Sequence, residues 1–404
     1  LESKYMGKML GGVLLVAGTT IGGGMLSLPI TTAKSGFLYS TLLFVACWAL
    51  MTFTAFLTLE VNLCFPKNSH MISMARNTLG KPGAFITWTA YLLLLYSVVA
   101  AYIAGGQDVF LGLLQSMGIQ APTALCGIAF VVLFGSVVTR GVRQVDLVNR
   151  FLMVFKLGAI FALIFFIGKH ADKTNYVQGH IPFVLSAVSI AILSFSFSPL
   201  IPTLRAYFND DVHQLRWVII IGTVLPLLCY IGWNAAIFGI VPVTGDYGLE
   251  RLIVHNQPIT GLLESVQHYV PNASIALIAK VFSSVCILTA FVSVTLSLSD
   301  YLADGFKVTK EGWGKVFVLS MTFLPPLLVA IFYPRAFILF LSFAGLFCIL
   351  MFALMPSVMA WVCRYRKNMP MPYKVSGGKL FILIAIMLSL VICGIVSYEL
   401  LTGL

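Results

Sequence analysis

Apolar residues fill this chain in long stretches, and charged residues fall almost entirely in the short turns between them. A helix needs roughly 20 apolar residues to cross a hydrocarbon layer of about 30 Å. Runs of that length, bounded by charges, prolines or polar turns, lie at about 9–33, 37–62, 84–112, 122–139, 147–168, 182–204, 215–241, 273–299, 313–333, 336–362 and 379–401. Membrane-spanning β-strands would alternate with period two over only about ten residues, and the runs do neither. The pattern predicts an all-α polytopic membrane protein with eleven transmembrane helices, in one transmembrane domain over residues 1–404.

Composition agrees with the pattern. Of 404 residues, 59% are hydrophobic and 10% charged, against about 25% charged in a soluble domain. The net charge of +11 reads as basic loops facing anionic lipid and lends no support to nucleic-acid binding. Lysine and arginine accumulate on the cytoplasmic side of membranes. With a cytoplasmic N-terminus, 18 of them, including Arg76, Arg140, Arg143, Arg150, Arg205, Lys307 and Arg364, fall on one side; Lys34, Lys169, Lys173, Arg251 and Arg335, 5 in number, fall on the other. A cytoplasmic N-terminus and a periplasmic C-terminus are the expectation. The first run is too long for the apolar core of a signal peptide and lacks a clear cleavage site.

Two runs contain residues that a membrane helix would avoid. The first carries GTTIGGGMLSLP over 18–29. Gly18 and Gly22 have a helix-packing spacing, but Gly22, Gly23 and Gly24 in succession point around the whole circumference, which suits an unwound hinge better. Backbone groups freed by a break are tolerated in a membrane only where they line a cavity or meet a ligand. The outer half-helix then offers N–H groups and positive dipole to an anion such as a carboxylate, and the inner half offers carbonyls to a cation. The sixth run carries LSFSFSPLIPT over 193–203: Pro199 and Pro202 each lack an N–H, and Ser194, Ser196 and Ser198 can partner freed backbone. Breaks in the first and sixth of eleven spans imply two five-helix halves of opposite orientation, the plan by which secondary transporters build a midplane site. The halves are residues 8–168 and 182–365, with an added helix at 379–401.

Lys156 lies deep in its run, about 9 Å past Arg150 and about 20 Å before Lys169 at 1.5 Å per residue. It either snorkels to the interface or marks an ion or proton pathway, and its depth favours the pathway. Lys280 comes early in its run, where snorkelling suffices. Glu60 at the end of the second run reads as a loop-anchoring carboxylate, and Asp108 toward the outer end of the third reads as facing water. The six histidines, at 70, 170, 180, 213, 255 and 268, lie in loops or at segment ends, which disfavours a mid-membrane histidine relay. Eight cysteines occur singly, without Cys-x-x-Cys spacing, so neither a disulfide framework nor a zinc site is expected. No pair of carboxylates shares a segment centre, and no Ser-x-Gly elbow, His-Glu-x-x-His or Gly-Lys-Thr loop appears, so an enzyme is not expected, nor a metal or other cofactor.

Seven stretches in order, GGVLLVAGTTIGGGMLSLP, LTLEVNL, YSVVAAYIAGG, DLVNRFLMVFK, SDYLADGF, TFLPPLLVAIFYPR and VSGGK, make the chain resemble the bacterial hydroxy and aromatic amino acid permeases, in their tyrosine- and tryptophan-specific branches. The resemblance implies the five-plus-five inverted-repeat fold of the bacterial leucine transporter, with broken helices 1 and 6, and proton-coupled uptake across the bacterial inner membrane. It implies that Gly18, Thr19, Thr20, Ile21, Gly22 and Gly23 receive the carboxylate and ammonium of the substrate, that Tyr102 lines the site, and that Phe195 or Phe197 stacks on the side chain. It also implies that Lys156 couples the proton by reaching helix 1 carbonyls near Gly18 and hydroxyls of helix 8, Ser293 or Ser297. The family reads Phe-Gly-Phe-His or Phe-Gly-Tyr-His on helix 6, whereas this chain has Ser196 in place of the glycine and Ser198 in place of the histidine.

The expectation is therefore a proton-driven symporter of an aromatic amino acid, tyrosine before tryptophan, with the amino acid and the lipid bilayer as its partners and no oligomer required. The alternatives are a serine or threonine symporter or a sodium-coupled transporter of the same fold, and more remotely a channel or sensor. A channel would show a repeated polar helix face and a sensor an added soluble domain, and the sequence has neither.

Overall fold

The protein is described by a computed structural model covering residues 2–67, 69–140, 142–176, 179–254, 258–334 and 336–402, and the side chains at 2–5, 142–143, 146–148, 150 and 253–254 are left out of the description. The expectations for His255 and Arg335, and those for the side chains of Arg143 and Arg150, lie outside the described residues.

The described residues form helices and turns without a strand. In chain order the helices are α1 (Glu2–Thr20), α2 (Gly24–Thr31), α3 (Gly36–Leu63), α4 (Met71–Ser116), α5 (Thr123–Thr139), α6 (Val142–Gly168), α7 (Val188–Ser194), α8 (Ile201–Phe208), α9 (Val212–Ile240), α10 (Leu249–Val254), α11 (Pro258–Tyr269), α12 (Ala273–Phe306), α13 (Gly312–Phe332), α14 (Phe337–Ile349), α15 (Met355–Trp361) and α16 (Gly378–Thr402). Nine helical stretches of the described residues are long and apolar enough to cross a membrane, and α1 with α2, bent by 53°, makes a tenth. Helix α5 is apolar but only 17 residues long, so the eleventh predicted crossing rests on a short helix.

Both suspected interruptions are present. The last regular bond of α1 runs from Ile21 N to Ala17 O at 2.8 Å, and α2 opens with long bonds from Met25 N to Gly22 O and from Leu26 N to Gly23 O, at 3.3 and 3.2 Å. Glycine is required here by space as well as by entropy. A Cβ on Gly23 would sit 2.6 Å from Tyr102 Cε1, and one on Gly24 would sit 2.9 Å from Ser194 Oγ. In the sixth run the helix stops at Ser194, residues 195–197 turn, and a 3₁₀ turn at Ser198–Leu200 leads into α8. Pro199 and Pro202 fall in the first turns after the break, where a missing N–H costs no helical bond. They start the second half-helix rather than disrupt the first.

Three features have no counterpart in the hydropathy pattern. Helix α4 begins 13 residues before its predicted run, at Met71 rather than 84, and folds around Gly80, whose φ of 79° only glycine adopts freely. Helices α10 and α11 occupy the connection between α9 and α12. The helix from Phe337 to Arg366 contains two π-helical stretches, at Leu350–Leu354 and Val362–Arg366.

Helices α1 and α2 pack against α9, α7 against α14, and α4 between α12 and α14, with α6 alongside α12 and α9. The two breaks are thus held at the centre of the bundle. One continuous core includes Ile21, Met25, Tyr102, Phe195 and Tyr230, and a smaller one gathers Val13, Val16, Phe197, Leu204 and Phe208.

Candidate functional site

The break in the first helix is completed by Lys156 of α6. Its side chain is 3% exposed, and Nζ donates to Ile21 O at 2.5 Å and to Gly18 O at 3.3 Å. Gly18 O belongs to the last turn of α1 and Ile21 O follows its end, and neither has a helical donor once the chain unwinds at Gly22. A cation suits this position because the C-terminal end of a helix carries partial negative charge, and a buried charge needs such partners. Cys286 of α12, fully buried, lies near the same amine. Lys280 by contrast is exposed.

The N–H groups of Gly22 and Gly23 take no backbone acceptor among the described residues. The Tyr102 hydroxyl of α4 faces the Gly23 amide, and its ring covers that glycine. A Cβ on Gly22 would meet only the Tyr102 hydroxyl, at 3.8 Å, and Thr20 O, at 3.9 Å, so room for a ligand group is left at this glycine. The hydroxyls of Thr19 and Thr20 are turned back on their own helix, donating to Leu15 O at 2.8 Å and Val16 O at 2.7 Å. Their side chains are thereby committed, and what the stretch 18–23 presents is backbone. A Cβ on Gly18 would lie 2.0 Å from Met153 Cε, which makes this glycine a packing position against α6.

The second break presents four residues in four directions. Phe195 packs edge-on against Tyr230, ring centroids 5.1 Å apart. Ser196 lies within hydrogen-bond reach of the Cys348 thiol on α14. Phe197 is buried in the smaller core with Val13, Val16 and Ile201, so of the two phenylalanines only Phe195 joins the central core. Ser198 Oγ is buried and has no hydrogen-bond partner among the described residues.

The two serines expected near Lys156 have other partners. Ser293 Oγ accepts from Asn149 Nδ2 at 2.7 Å and donates to Thr289 O at 2.8 Å. Ser297 donates to Ser293 O at 3.0 Å and is exposed. Neither bonds the lysine: both hydroxyls donate within α12, and Ser293 also accepts from Asn149 of α6, about two turns before Lys156.

Asp108 does not face water. It is 5% exposed, and its carboxylate receives the N–H groups of Ile259 and Thr260, each at 3.1 Å, and the Thr260 hydroxyl at 2.7 Å. It caps α11, which lies between the predicted runs 215–241 and 273–299. Glu60 anchors a loop: Arg364 Nε donates to Oε1 at 2.5 Å, Arg364 also bonds Oε2, and Val375 N donates to Oε2 at 2.7 Å.

One residue of the site had no sequence signal. Tyr230 of α9, fully buried, places its hydroxyl 2.7 Å from Thr20 O and 2.9 Å from Ser194 O. These are the last residues of α1 and α7, so a single side chain touches the end of both interrupted helices. In the apolar run LLCYIGWN nothing distinguishes it from a packing tyrosine.

An arrangement of two interrupted helices with amides outside the helical ladder at Gly22 and Gly23, and helix-end carbonyls joined by a buried lysine, suits recognition of a small zwitterion. The comparisons with known proteins agree. Residues 6–397 match the tryptophan/tyrosine permease family. The chain is 33% identical over 389 residues to the tyrosine-specific transport system 2 of Haemophilus influenzae, covering 95% of each. It is 32% identical to tyrosine-specific transport system 1 of the same organism, covering 96% of each, and 31% identical to its tryptophan-specific transport protein, covering 93% of this chain and 92% of the relative. With a match that runs through nearly every helix described above, the chain belongs to the tryptophan/tyrosine permease family of membrane transport proteins.

Proposed function

We propose that the protein is an inner-membrane symporter that takes up an aromatic amino acid, tyrosine before tryptophan, with protons as the coupling ion and by alternating access. The reading counts eleven crossings with α5 as the fourth, a cytoplasmic N-terminus, and inverted repeats over 8–168 and 182–365 with α16 added. The substrate carboxylate meets the amides of Gly22 and Gly23, its ammonium meets carbonyls at the ends of α1 and α7, and Tyr102, Phe195, Ser196 and Ser198 surround its side chain. The single observation that carries this reading is Lys156 Nζ on the carbonyls of Gly18 and Ile21. Loss of its proton removes the charge that the negative end of α1 stabilises, so protonation and the geometry of the break are linked.

A second reading keeps the fold and takes a smaller or more polar amino acid. It is favoured by Ser196 and Ser198, and by the Tyr102 ring that already covers Gly23. Uptake of labelled tyrosine, tryptophan, serine and glutamine into proteoliposomes, under separately imposed proton and sodium gradients, decides both questions. Proton-driven accumulation of tyrosine is expected. Accumulation driven by sodium alone overturns the coupling, and preference for serine or glutamine overturns the substrate.

A further inference from the structure

Two buried carbonyl oxygens, Thr20 O and Ser194 O, converge on the Tyr230 hydroxyl at 2.7 and 2.9 Å. Each belongs to the last residue of a half-helix, so each carries the partial negative charge of a C-terminal helix end. A phenol has one proton to donate. It satisfies one of these carbonyls at a time, and the pair remains one donor short in a region where Thr20 is 5% and Ser194 6% exposed. Buried acceptors left short of a donor are costly, and a group arriving with several N–H donors and a positive charge relieves both the deficit and the charge. A primary ammonium is such a group.

The tyrosine also fixes where the pair stands. Its ring is held by Phe195, at 5.1 Å and 61°, and it comes from α9, a continuous helix packed along α1 and α2. The two half-helix ends lie 174 residues apart in the chain and have no covalent reason to keep a common spacing. Helix α2 packs against α7, so closely that a Cβ on Gly24 would sit 2.9 Å from Ser194 Oγ, and Tyr230 sets the distance between the carbonyls of Thr20 and Ser194.

We propose that Tyr230 is a positioning residue for substrate recognition: its hydroxyl holds Thr20 O and Ser194 O at the separation that receives the α-ammonium of the substrate. This deepens the reading of the site as an amino acid carrier and rests on it. Tyr230 acts through the two carbonyls, and its removal strikes at the amino group of the substrate while leaving recognition of the carboxylate at Gly22 and Gly23 in place.

The test measures binding of labelled tyrosine to the purified full-length protein, with competition by its des-amino analogue, 3-(4-hydroxyphenyl)propionate, and by tyramine, which lacks the carboxylate. In the wild type both analogues compete weakly. Tyr230→Phe keeps the ring and its packing on Phe195. It is expected to narrow the gap between tyrosine and the des-amino analogue by about tenfold or more, the scale of a hydrogen bond to a charged group, with the penalty against tyramine unchanged. Replacing Tyr230 by 4-aminophenylalanine keeps the ring and supplies two donors, one for each carbonyl, so the pair has no deficit left for an ammonium to relieve. It is expected to narrow the same gap, an unchanged gap overturns the proposal, and it covers the case in which Tyr230→Phe fails to fold. Tyr96→Phe removes a comparable hydroxyl-to-carbonyl bond, Tyr96 to Met321 O at 2.8 Å, away from the breaks, and is expected to change neither ratio. An unchanged des-amino gap in Tyr230→Phe, or equal loss against both analogues, overturns the role of Tyr230. A wild type that binds no aromatic amino acid overturns the carrier reading, and the proposal falls with it.

Discussion

Replacing Lys156 by methionine keeps an unbranched apolar stem of similar volume and removes only the ammonium group. The structure sets the cost. Gly18 O and Ile21 O each lose a donor, in a place where the helical donors that would otherwise serve them are gone. A buried acceptor left unsatisfied costs about 1–3 kcal/mol, so the break loses about 2–6 kcal/mol of local stabilisation, part of which water entering the gap restores. At 1.4 kcal/mol per tenfold, that is enough to redistribute the conformations of the hinge while leaving the remaining helices packed. The assay separates two activities in proteoliposomes: accumulation driven by an inward proton gradient, and exchange of external label for internal unlabelled substrate, which needs no net driving force. Lys156→Met is expected to lose accumulation by at least about tenfold and to keep exchange at a reduced rate. Lys156→Arg sharpens the test, since a guanidinium holds its proton throughout the accessible pH range: it keeps a cation at the carbonyls but cannot cycle a proton, and should exchange without accumulating. Wild-type accumulation by either variant refutes proton coupling through this residue.

Three further outcomes follow from other parts of the molecule. Gly23→Ala places a methyl 2.6 Å from the Tyr102 ring, and overlap of that size should weaken substrate binding by about tenfold or more, read by titration of the purified protein; unchanged affinity refutes the close approach of α4 to the hinge. Glu60→Gln leaves Arg364 without its carboxylate in a pair whose side chains are 0% and 6% exposed, and breaking such a pair costs about 3–5 kcal/mol, so the midpoint of thermal unfolding in detergent should fall by several degrees. Asp210, in the turn between α8 and α9, is held below the usual carboxylate range by hydrogen bonds from Lys67 and then from Arg205. Its contribution is therefore present above the unfolded-state value of about 3.9 and is lost as pH falls through the lower folded value. Asp210→Asn should be less stable than the wild type at neutral pH and indistinguishable from it in strong acid, the difference being modest because the carboxylate is 35% exposed.

Much of the site could be read from residue types because its two breaks are local events. Three consecutive glycines at 22–24 weaken a helix within their own turn, and Ser-Pro followed by Pro three residues on stops one helix and starts the next. Lys156 stood out because a cation amid apolar residues has no local partner and must find one elsewhere. Asp108 was misread for the same reason in reverse: its partners are amides of α11, which lie 151 and 152 residues away and carry no mark in the sequence. The family resemblance implied Ser293 or Ser297 as a partner of Lys156, but a serine in a helix readily bonds the carbonyl four residues back, and both do so.

Hydropathy, loop charge and the glycine and proline pattern by themselves determined a bundle of membrane-length helices with the first and sixth interrupted, because burial in lipid and backbone strain act within about one turn or one span of chain. Tertiary structure alone decided who completes the broken ends. Lys156 meets carbonyls 135 and 138 residues away, and Tyr230 joins Thr20 and Ser194 across 210 and 36. Any buried donor of the right reach could satisfy a free carbonyl, so the choice among them is made only when the helices pack.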